Sequence, residues 1–546
     1  MPPPPPPRQN KRQKSEGVSP APKSNVTSNP AESVTGPRKR KESGFYKELE
    51  EGNLNIDGNK ESKVATNFLK YLEEKKISNE NVAKTLNGNE WNIEYVEKYG
   101  INYPIKFDNV DGLDMKLPPS NFSLESIKAL VGPKTLINVI DVATQQEVLP
   151  QWSLEQFVDY YNSNYRSKIY NVISLEVSKS KLAERVSPPA TVRSIDWIDN
   201  VWPKDQTTNY PQVQLYCLMS VKGSFTDFHL DFGGTSVYYH ILRGQKLFLF
   251  VPPTEENLKK FAEWTSTIEQ HEVFFGDLVQ DVYPVLVEQG QTLIVPTAWI
   301  HAVYTPQDSL VFGGNFLHSY NIKQQLAVYE VEESTKVPEK FRFPFYEQMM
   351  WCKSLYSRKK SNFLYLDAAV KFLTQLKDVA ANKRGPLSTL EHEGVIDLVA
   401  TLDNWLKSNK KNESIPPTIL NPRQLLSDLS DFLLKSPPEI SPTSADPWLD
   451  VIQHNRQSGN IMTVSEIVDR IKNPSAYYDT TSVPDSNPGG LKITLQPQSS
   501  IPAHIAPPSA DEVSLLASDD DFFGINPEKK VKTEANSNLF GNGTPQ

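Results

Sequence analysis

The spacing of apolar and polar residues divides the chain into a β-rich middle part and a helical C-terminal part. Between residues 213 and 314, short apolar runs alternate with turn residues at intervals of roughly 8–12 residues, which is typical of a sandwich or a barrel. The predicted strands cover residues 213–221, 236–242, 246–251, 282–286, 292–295, 302–305 and 310–313. A helix at 255–264 is predicted to interrupt them.

The segments on either side carry helical signals. Upstream, helices are predicted at 65–74, at 79–86, after Ser123 and after the capping box that begins at Ser153, with strands at 135–142 and 170–177. Beyond Pro338 the apolar period becomes about 3.6 residues, which predicts helices. They cover residues 344–355, 363–380, 389–406, 422–434 and 463–472.

The two ends of the chain differ in composition from its body. Residues 1–43 hold ten prolines, nine Lys or Arg and three acidic residues, so we expect a disordered basic tail. Its clusters at 11–14 and 38–41 predict a nuclear import signal or a weak DNA contact, and a solvated tail with neither role is the alternative. A second disordered tail is expected at 476–546. The predicted division is a tail (1–43), a small helical lead-in (44–118), a core (119–337), a helical region (338–475) and the second tail.

Charge and cysteine content exclude several classes of protein. The net charge of −9 argues against general coating of nucleic acid, which needs many cations. Two cysteines cannot build a disulfide framework or a cysteine-rich zinc finger, and they suit a reducing compartment. No apolar run approaches the roughly 20 residues that span a bilayer, so no membrane association is expected.

Three residues have the chemistry of a metal site. His229 and Asp231 are two residues apart, so in a strand their side chains point to one face. His301 would join them if its strand lay beside that of His229. Two histidines and one carboxylate form the facial triad that leaves open positions on Fe(II). A zinc hydrolase site and a hydrogen-bonded core histidine have the same spacing.

Further polar residues lie in apolar strands around these three. Lys246 opens an apolar strand, and a buried lysine is costly unless an anion pairs with it. Thr226 and Tyr239 have hydroxyls that could bind a carboxylate beside Lys246. Asn171 and Asn315 would need partners if buried. An exposed strand-end lysine and ordinary aromatic packing are the simpler explanations.

The longer stretches that contain these residues resemble a known family. YNVISLEVS, YCLMSVKGSFTDFHLDFGGTSVYYHILRGQKLFLFVPPT and IVPTAWIHAVYTPQDSLVFGGNFLHSYNI are similar to JmjC-domain histone lysine demethylases over about residues 120–345. More narrowly, they resemble the branch that acts on lysine 36 of histone H3. The resemblance implies a mixed β/α fold, in which a double-stranded β-helix (a cupin-like jelly-roll) is flanked by helices.

The resemblance also implies roles and partners. His229, Asp231 and His301 would be Fe(II) ligands, and Thr226 and Lys246 would hold the distal carboxylate of 2-oxoglutarate. Asn171, Tyr239 and Asn315 would be further contacts in this site.

The implied reaction uses O2 to demethylate a methyl-lysine of the histone H3 tail in nuclear chromatin, releasing formaldehyde and succinate. Relatives often carry a PHD or CXXC finger, for which this chain lacks the cysteines. A protein hydroxylase acting on a non-histone target and a non-catalytic chromatin scaffold remain alternatives.

Overall fold

The computed structural model describes residues 68–74, 77–203, 210–267, 270, 273–361, 387–408, 411–435 and 447–473. The two tails and the helix predicted at 363–380 lie outside the described residues. Among the residues that are described, no helix is both long and apolar enough to cross a bilayer.

An antiparallel sheet with two very long strands forms the centre of the fold. The strands are β1 (Lys84–Thr85), β2 (Ile105–Phe107), β3 (Leu136–Ile137), β4 (Ile140–Asp141), β5 (Gln146–Glu147), β6 (Trp152–Ser153), β7 (Tyr170–Glu176), β8 (Tyr216–Ser220), β9 (Phe225–His229), β10 (Ser236–Val251), β11 (Tyr283–Glu288), β12 (Thr292–Val295) and β13 (Ile300–Phe316). Their order is β1-β2-β12-β10-β13-β8-β7-β4-β5, while β11 pairs with β10, β9 pairs with β13, and β3 pairs with β6.

The strands β10 and β13 pair along their whole length, and each has a different second neighbour in each of its halves. The first half of β10 also pairs with β12, and its second half pairs with β11. In the same way, β13 pairs first with β9 and then with β8. The register between β10 and β13 shifts three times from Ile241 to Leu247, which marks the place where the two long strands bend. The arrangement confirms the predicted jelly-roll core with helices.

Helices flank this core at both ends of the chain. They are α1 (Phe68–Glu74), α2 (Ile93–Tyr99), α3 (Leu124–Val131), α4 (Leu154–Asn162), α5 (Ala190–Ile195), α6 (Trp197–Asn200), α7 (Glu255–Thr265), α8 (Ile322–Thr335), α9 (Tyr346–Ser361), α10 (Thr389–Lys407), α11 (Pro422–Lys435), α12 (Pro447–Ser458) and α13 (Val464–Lys472). Side chains from α8 to α11, among them Tyr329, Met349, Leu398 and Leu429, share one apolar cluster.

Several elements differ from the sequence predictions. The pairs of strands predicted at 236–242 and 246–251, and at 302–305 and 310–313, are single bent strands, because the residues between them stay in the ladder. The helix predicted at 79–86 is wrong, since this segment is extended and contains β1. The prediction missed α8, whose buried face includes the polar residues Gln325, Glu332 and Thr335.

Candidate functional site

The three predicted metal ligands come together between two paired strands. His229 ends β9 and lies directly opposite His301, the second residue of β13. Their ring centroids are 4.3 Å apart. Asp231 lies beyond the end of β9, where it precedes a 3₁₀ turn (Phe232–Gly234), so the expectation that it shares a strand with His229 is wrong. One ligand atom from each of the three residues lies within 4.8 Å of the others.

Both histidines are oriented by their own strands. The Nδ1–H of His229 donates to the backbone carbonyl of Asp227 at 2.8 Å, and that of His301 donates to the carbonyl of Trp299 at 2.9 Å. Because a carbonyl can only accept, these contacts fix the tautomer and leave each Nε2 lone pair available to a cation. Burial lowers the pKa of His301 well below its usual value, which keeps the ring neutral as a ligand must be.

Asp231 is held from two sides. Its Oδ2 lies 3.8 Å from Nε2 of His301, and its Oδ1 accepts a long hydrogen bond of 3.5 Å from the amide of Asn315. That amide also donates to Oγ1 of Thr235 at 2.8 Å. Burial raises the pKa of Asp231, as expected for a carboxylate that awaits a cation. Asn315 therefore orients the carboxylate of Asp231, one of the three predicted metal ligands.

Lys246 is a buried cation in the same cavity. Its side chain is 2% exposed, and Nζ donates to the hydroxyls of Ser220 at 2.7 Å and Thr305 at 2.8 Å. Both partners are neutral, and burial lowers the pKa of Lys246 to about 7. A buried ammonium with neutral partners suits an anionic ligand that would restore its charge. The simpler explanation, an exposed strand-end lysine, is wrong.

The other predicted residues lie around Lys246 at different depths. Thr226 and Tyr239 line the cavity, and the Tyr239 ring packs edge-on against Phe248. Asn171 is buried behind Thr226, with its amide 3.5 Å from the threonine hydroxyl. Among the described residues the Oδ1 of Asn171 has no hydrogen-bond partner, so this acceptor can take a further hydrogen bond.

One cavity of about 750 Å³ contains both groups of residues. The triad, Thr226, Tyr239, Lys246 and Asn315 all line it, and its walls are largely apolar. Its far side is formed by α8 and by residues 337–344. Sequence reasoning missed Ser220 and Thr305, whose only signal is a hydroxyl in an apolar strand, and Glu332, which lies in the helix that was not predicted.

Comparison with protein-family models identifies two domains. Residues 216–316 match the JmjC domain, hydroxylase, and residues 320–435 match the Jumonji helical domain. The first match contains all three triad residues, and the second begins immediately before α8. The helices α8 to α11, which follow the β-sheet core, therefore correspond to the Jumonji helical domain.

Curated proteins of similar sequence are lysine demethylases by name. The chain is 46% identical to lysine-specific demethylase 2A of Xenopus tropicalis over 53% of this chain and 25% of that protein. It is 40% identical to lysine-specific demethylase 7B of Danio rerio over 68% of this chain and 62% of that protein. It is 42% identical to histone lysine demethylase PHF8 of Danio rerio over 63% and 32%.

The chain thus spans between about a quarter and about three fifths of the length of these relatives. Their names specify lysine or histone lysine demethylases but no lysine position. The chain therefore contains a JmjC domain and a Jumonji helical domain, and its sequence is similar to proteins named as lysine or histone lysine demethylases.

Proposed function

We propose that the protein removes methyl groups from histone lysines by an oxidation that depends on Fe(II) and 2-oxoglutarate. The observation that carries the proposal is the buried side chain of Lys246. In the described part of the chain its amine donates to two hydroxyls, and it shares a cavity with two histidines and an aspartate. A zinc hydrolase has no need of a buried cation for a second carboxylate. A 2-oxoacid dianion that binds iron at one end and Lys246 at the other uses both features.

The residues divide into two groups by what they would hold. His229, Asp231 and His301 would hold Fe(II) through nitrogen and oxygen atoms that are already converged. Lys246 and Thr226 would hold the distal carboxylate of 2-oxoglutarate by charge-assisted hydrogen bonds. Tyr239 would bind the same cosubstrate, and Asn171 would support it through Thr226. When bound, iron with 2-oxoglutarate and O2 supplies the oxidation of the N-methyl carbon, with formaldehyde and succinate as products.

Other residues of the cavity orient the carboxylate of Asp231 and exclude water from the site. The amide of Asn315 bonds to Oδ1 of Asp231, so Oδ2, the oxygen nearer to His301, would be the one to hold the metal. Apolar side chains, among them Val237, Phe248, Val295 and Val303, line the cavity. They exclude water, which strengthens the pairing of Lys246 with an anion.

The proposed substrate is lysine 36 of histone H3, mono- or dimethylated. Support for the lysine position comes from the sequence resemblance alone. The test is a panel of H3 peptides methylated at different lysines, incubated with protein, Fe(II), ascorbate and 2-oxoglutarate and analysed by mass spectrometry. We expect a loss of about 14 Da per methyl group, with formaldehyde, on the lysine-36 peptides. Activity on lysine 9 or 27 with none on lysine 36 would contradict the position and leave the reaction intact.

The same panel separates the other functions that the sequence permits. A stable gain of about 16 Da in a target, without formaldehyde, would identify a hydroxylase. No product from any peptide, with no conversion of 2-oxoglutarate to succinate, would identify a scaffold. The intact set of ligands and Lys246 favours the enzyme over the scaffold, since loss of one ligand would be enough to disable the site.

We further propose that the protein acts on chromatin in the nucleus and that residues 1–43 direct it there. Deletion of these residues from a fluorescent fusion should move it toward the cytoplasm without changing turnover of free peptide. If the truncated fusion stays nuclear but loses activity on nucleosomes at low salt, the tail is a DNA contact instead, because phosphate contacts weaken steeply as salt rises.

A further inference from the structure

The strand that carries His229 contains an irregularity that the site depends on. From Thr226 to His229 the chain advances three residues, whereas the opposite positions on β13, Val303 and His301, are two residues apart. One extra residue on β9 is a β-bulge. In a regular strand, residues three apart point to opposite faces. With the bulge, Thr226 and His229 can point to one face, and both line the cavity.

The side chain of Gln145 bridges this bulge from outside the strand. Its Oε1 accepts from the backbone N–H of Asp227 at 3.2 Å, and its Nε2 donates to the carbonyl of Phe225 at 3.0 Å. A carbonyl at one residue and an N–H two residues later face the same edge of a strand. The amide of Gln145 therefore takes the place of a peptide group from a neighbouring strand.

Gln145 is itself fixed by its turn. It lies between β4 and β5 with a left-handed φ of 58°, and its backbone N–H donates to the carbonyl of Asp141 at 2.8 Å. Its Nε2 also donates to the carbonyl of Val142 at 2.7 Å. A non-glycine residue in this region of backbone space is uncommon and persists where its surroundings hold it. The turn thus aims the amide at β9.

The bulge also orients the metal ligand directly. The carbonyl that accepts from Nδ1 of His229 belongs to Asp227, the same residue whose N–H is bound by Gln145. We propose that Gln145 is a positioning residue of the metal site: it fixes the bulge of β9 and so sets the orientation of His229 and the side on which Thr226 lies. This inference rests on the proposed iron site.

Titration of the full-length, metal-free protein with Co(II), followed by visible absorption, tests the proposal without turnover. Gln145→Met keeps the length of the side chain and removes the three hydrogen bonds. We expect its Co(II) affinity to fall by roughly 10- to 100-fold, as for other residues that orient metal ligands. Gln145→Glu keeps the acceptor for Asp227 and should give an intermediate loss. Gln424→Met, at an exposed position of α11, is the matched control and should bind as the wild type does.

The Co(II) titration distinguishes a wrong role for Gln145 from a wrong assignment of the iron site. A folded Gln145→Met protein with the Co(II) affinity and spectrum of the wild type would overturn the role of Gln145, even if it were less stable or had a raised KM for peptide. If the Met variant does not fold, wild-type Co(II) affinity in Gln145→Glu would overturn it. A wild-type protein that does not bind Co(II) would instead overturn the iron site itself.

Discussion

The carboxylate of Glu332 in α8 accepts a hydrogen bond of 2.8 Å from the backbone N–H of Gly233, two residues after Asp231. Gly233 has a left-handed φ of 60°, and a β-carbon there would lie 2.8 Å from that of Phe343. The Jumonji helical domain therefore packs directly on the turn that follows a metal ligand. The helical region whose role the sequence left open forms one wall of the site.

Burial raises the pKa of Glu332 from 4.5 to about 7. At a pH between these two values, the carboxyl group of Glu332 is deprotonated in the unfolded chain and protonated in the folded chain. The free energy of unfolding of the wild type therefore falls as the pH rises from about 4.5 to 7. Glu332→Gln does not titrate and should gain up to about 3 kcal/mol relative to the wild type over this range. Urea unfolding of metal-free protein at pH 5 to 8 measures the difference. Glu263→Gln, at an exposed position of α7, is the control. A difference between Glu332→Gln and the wild type that does not change with pH would contradict the prediction.

Removal of one triad ligand should abolish turnover and leave the fold largely intact. His229→Ala and Asp231→Ala each leave two of three ligands, which is too few for a stable open site. We expect no conversion of 2-oxoglutarate to succinate and an unchanged circular dichroism spectrum. His454→Ala, at an exposed position in α12, should behave as the wild type. Succinate formed at the wild-type rate by a metal-free triad variant would show that the ligands are wrongly assigned.

Lys246 should take up a proton when 2-oxoglutarate binds. Its pKa of about 7 leaves much of it neutral at pH 8, and pairing with a carboxylate favours the charged form. Calorimetry of cosubstrate binding at pH 8, in buffers that differ in ionisation enthalpy, measures the uptake. Lys246→Met should lose it and weaken binding by about 30-fold to several thousand-fold.

The matched control for that experiment is Lys260→Met, because Lys260 lies at the surface of α7 beside Glu256. It should keep both the proton uptake and the affinity of the wild type. An unchanged half-saturation point for 2-oxoglutarate in Lys246→Met would mean that this lysine does not bind the cosubstrate.

The bend of the long strands should depend on Gly244. Its φ is 85°, and a β-carbon would lie 2.3 Å from the backbone oxygen of Asp308. Gly290 has a similar φ of 84°, and no atom of the described residues lies within 4 Å of its β-carbon position. Gly290→Ala should cost only the conformational energy of about 1–2 kcal/mol, and Gly244→Ala should cost distinctly more. Denaturant unfolding compares them, and equal losses would show that the contact with Asp308 is easily relieved.

The sequence predicted the parts of this fold that depend on local signals. The capping box at Ser153 and the strand Thr292–Val295 lie where the pattern placed them. The residues around Gly244 have the composition of a turn, and only pairing with β13 keeps them in a strand. Helix α8 was missed because its buried face carries polar residues, and Glu332 among them bonds to Gly233, which is far away in the chain.

Some residues of the candidate site could also be predicted from the sequence, whereas others depend on the three-dimensional fold. The sequence indicated His229, Asp231 and His301 by residue type, and pairing of β9 with β13 brings the histidines together as expected. It gave no sign of the bulge, because an extra residue in a ladder is defined by the partner strand. The hydroxyls of Ser220 and Thr305 were equally hidden, since only the fold brings them to Lys246.

The pairing of His229 with His301 also bears on how the free protein opens. In the described part of the chain, β9 is bonded to the sheet along one side, through β13. A cation bound by both histidines would link β9, which carries His229, to β13, which carries His301. In the metal-free chain, the backbone amides of β9 should therefore exchange with solvent faster than those of β10. Iron should slow exchange in β9 most strongly at the residues next to His229.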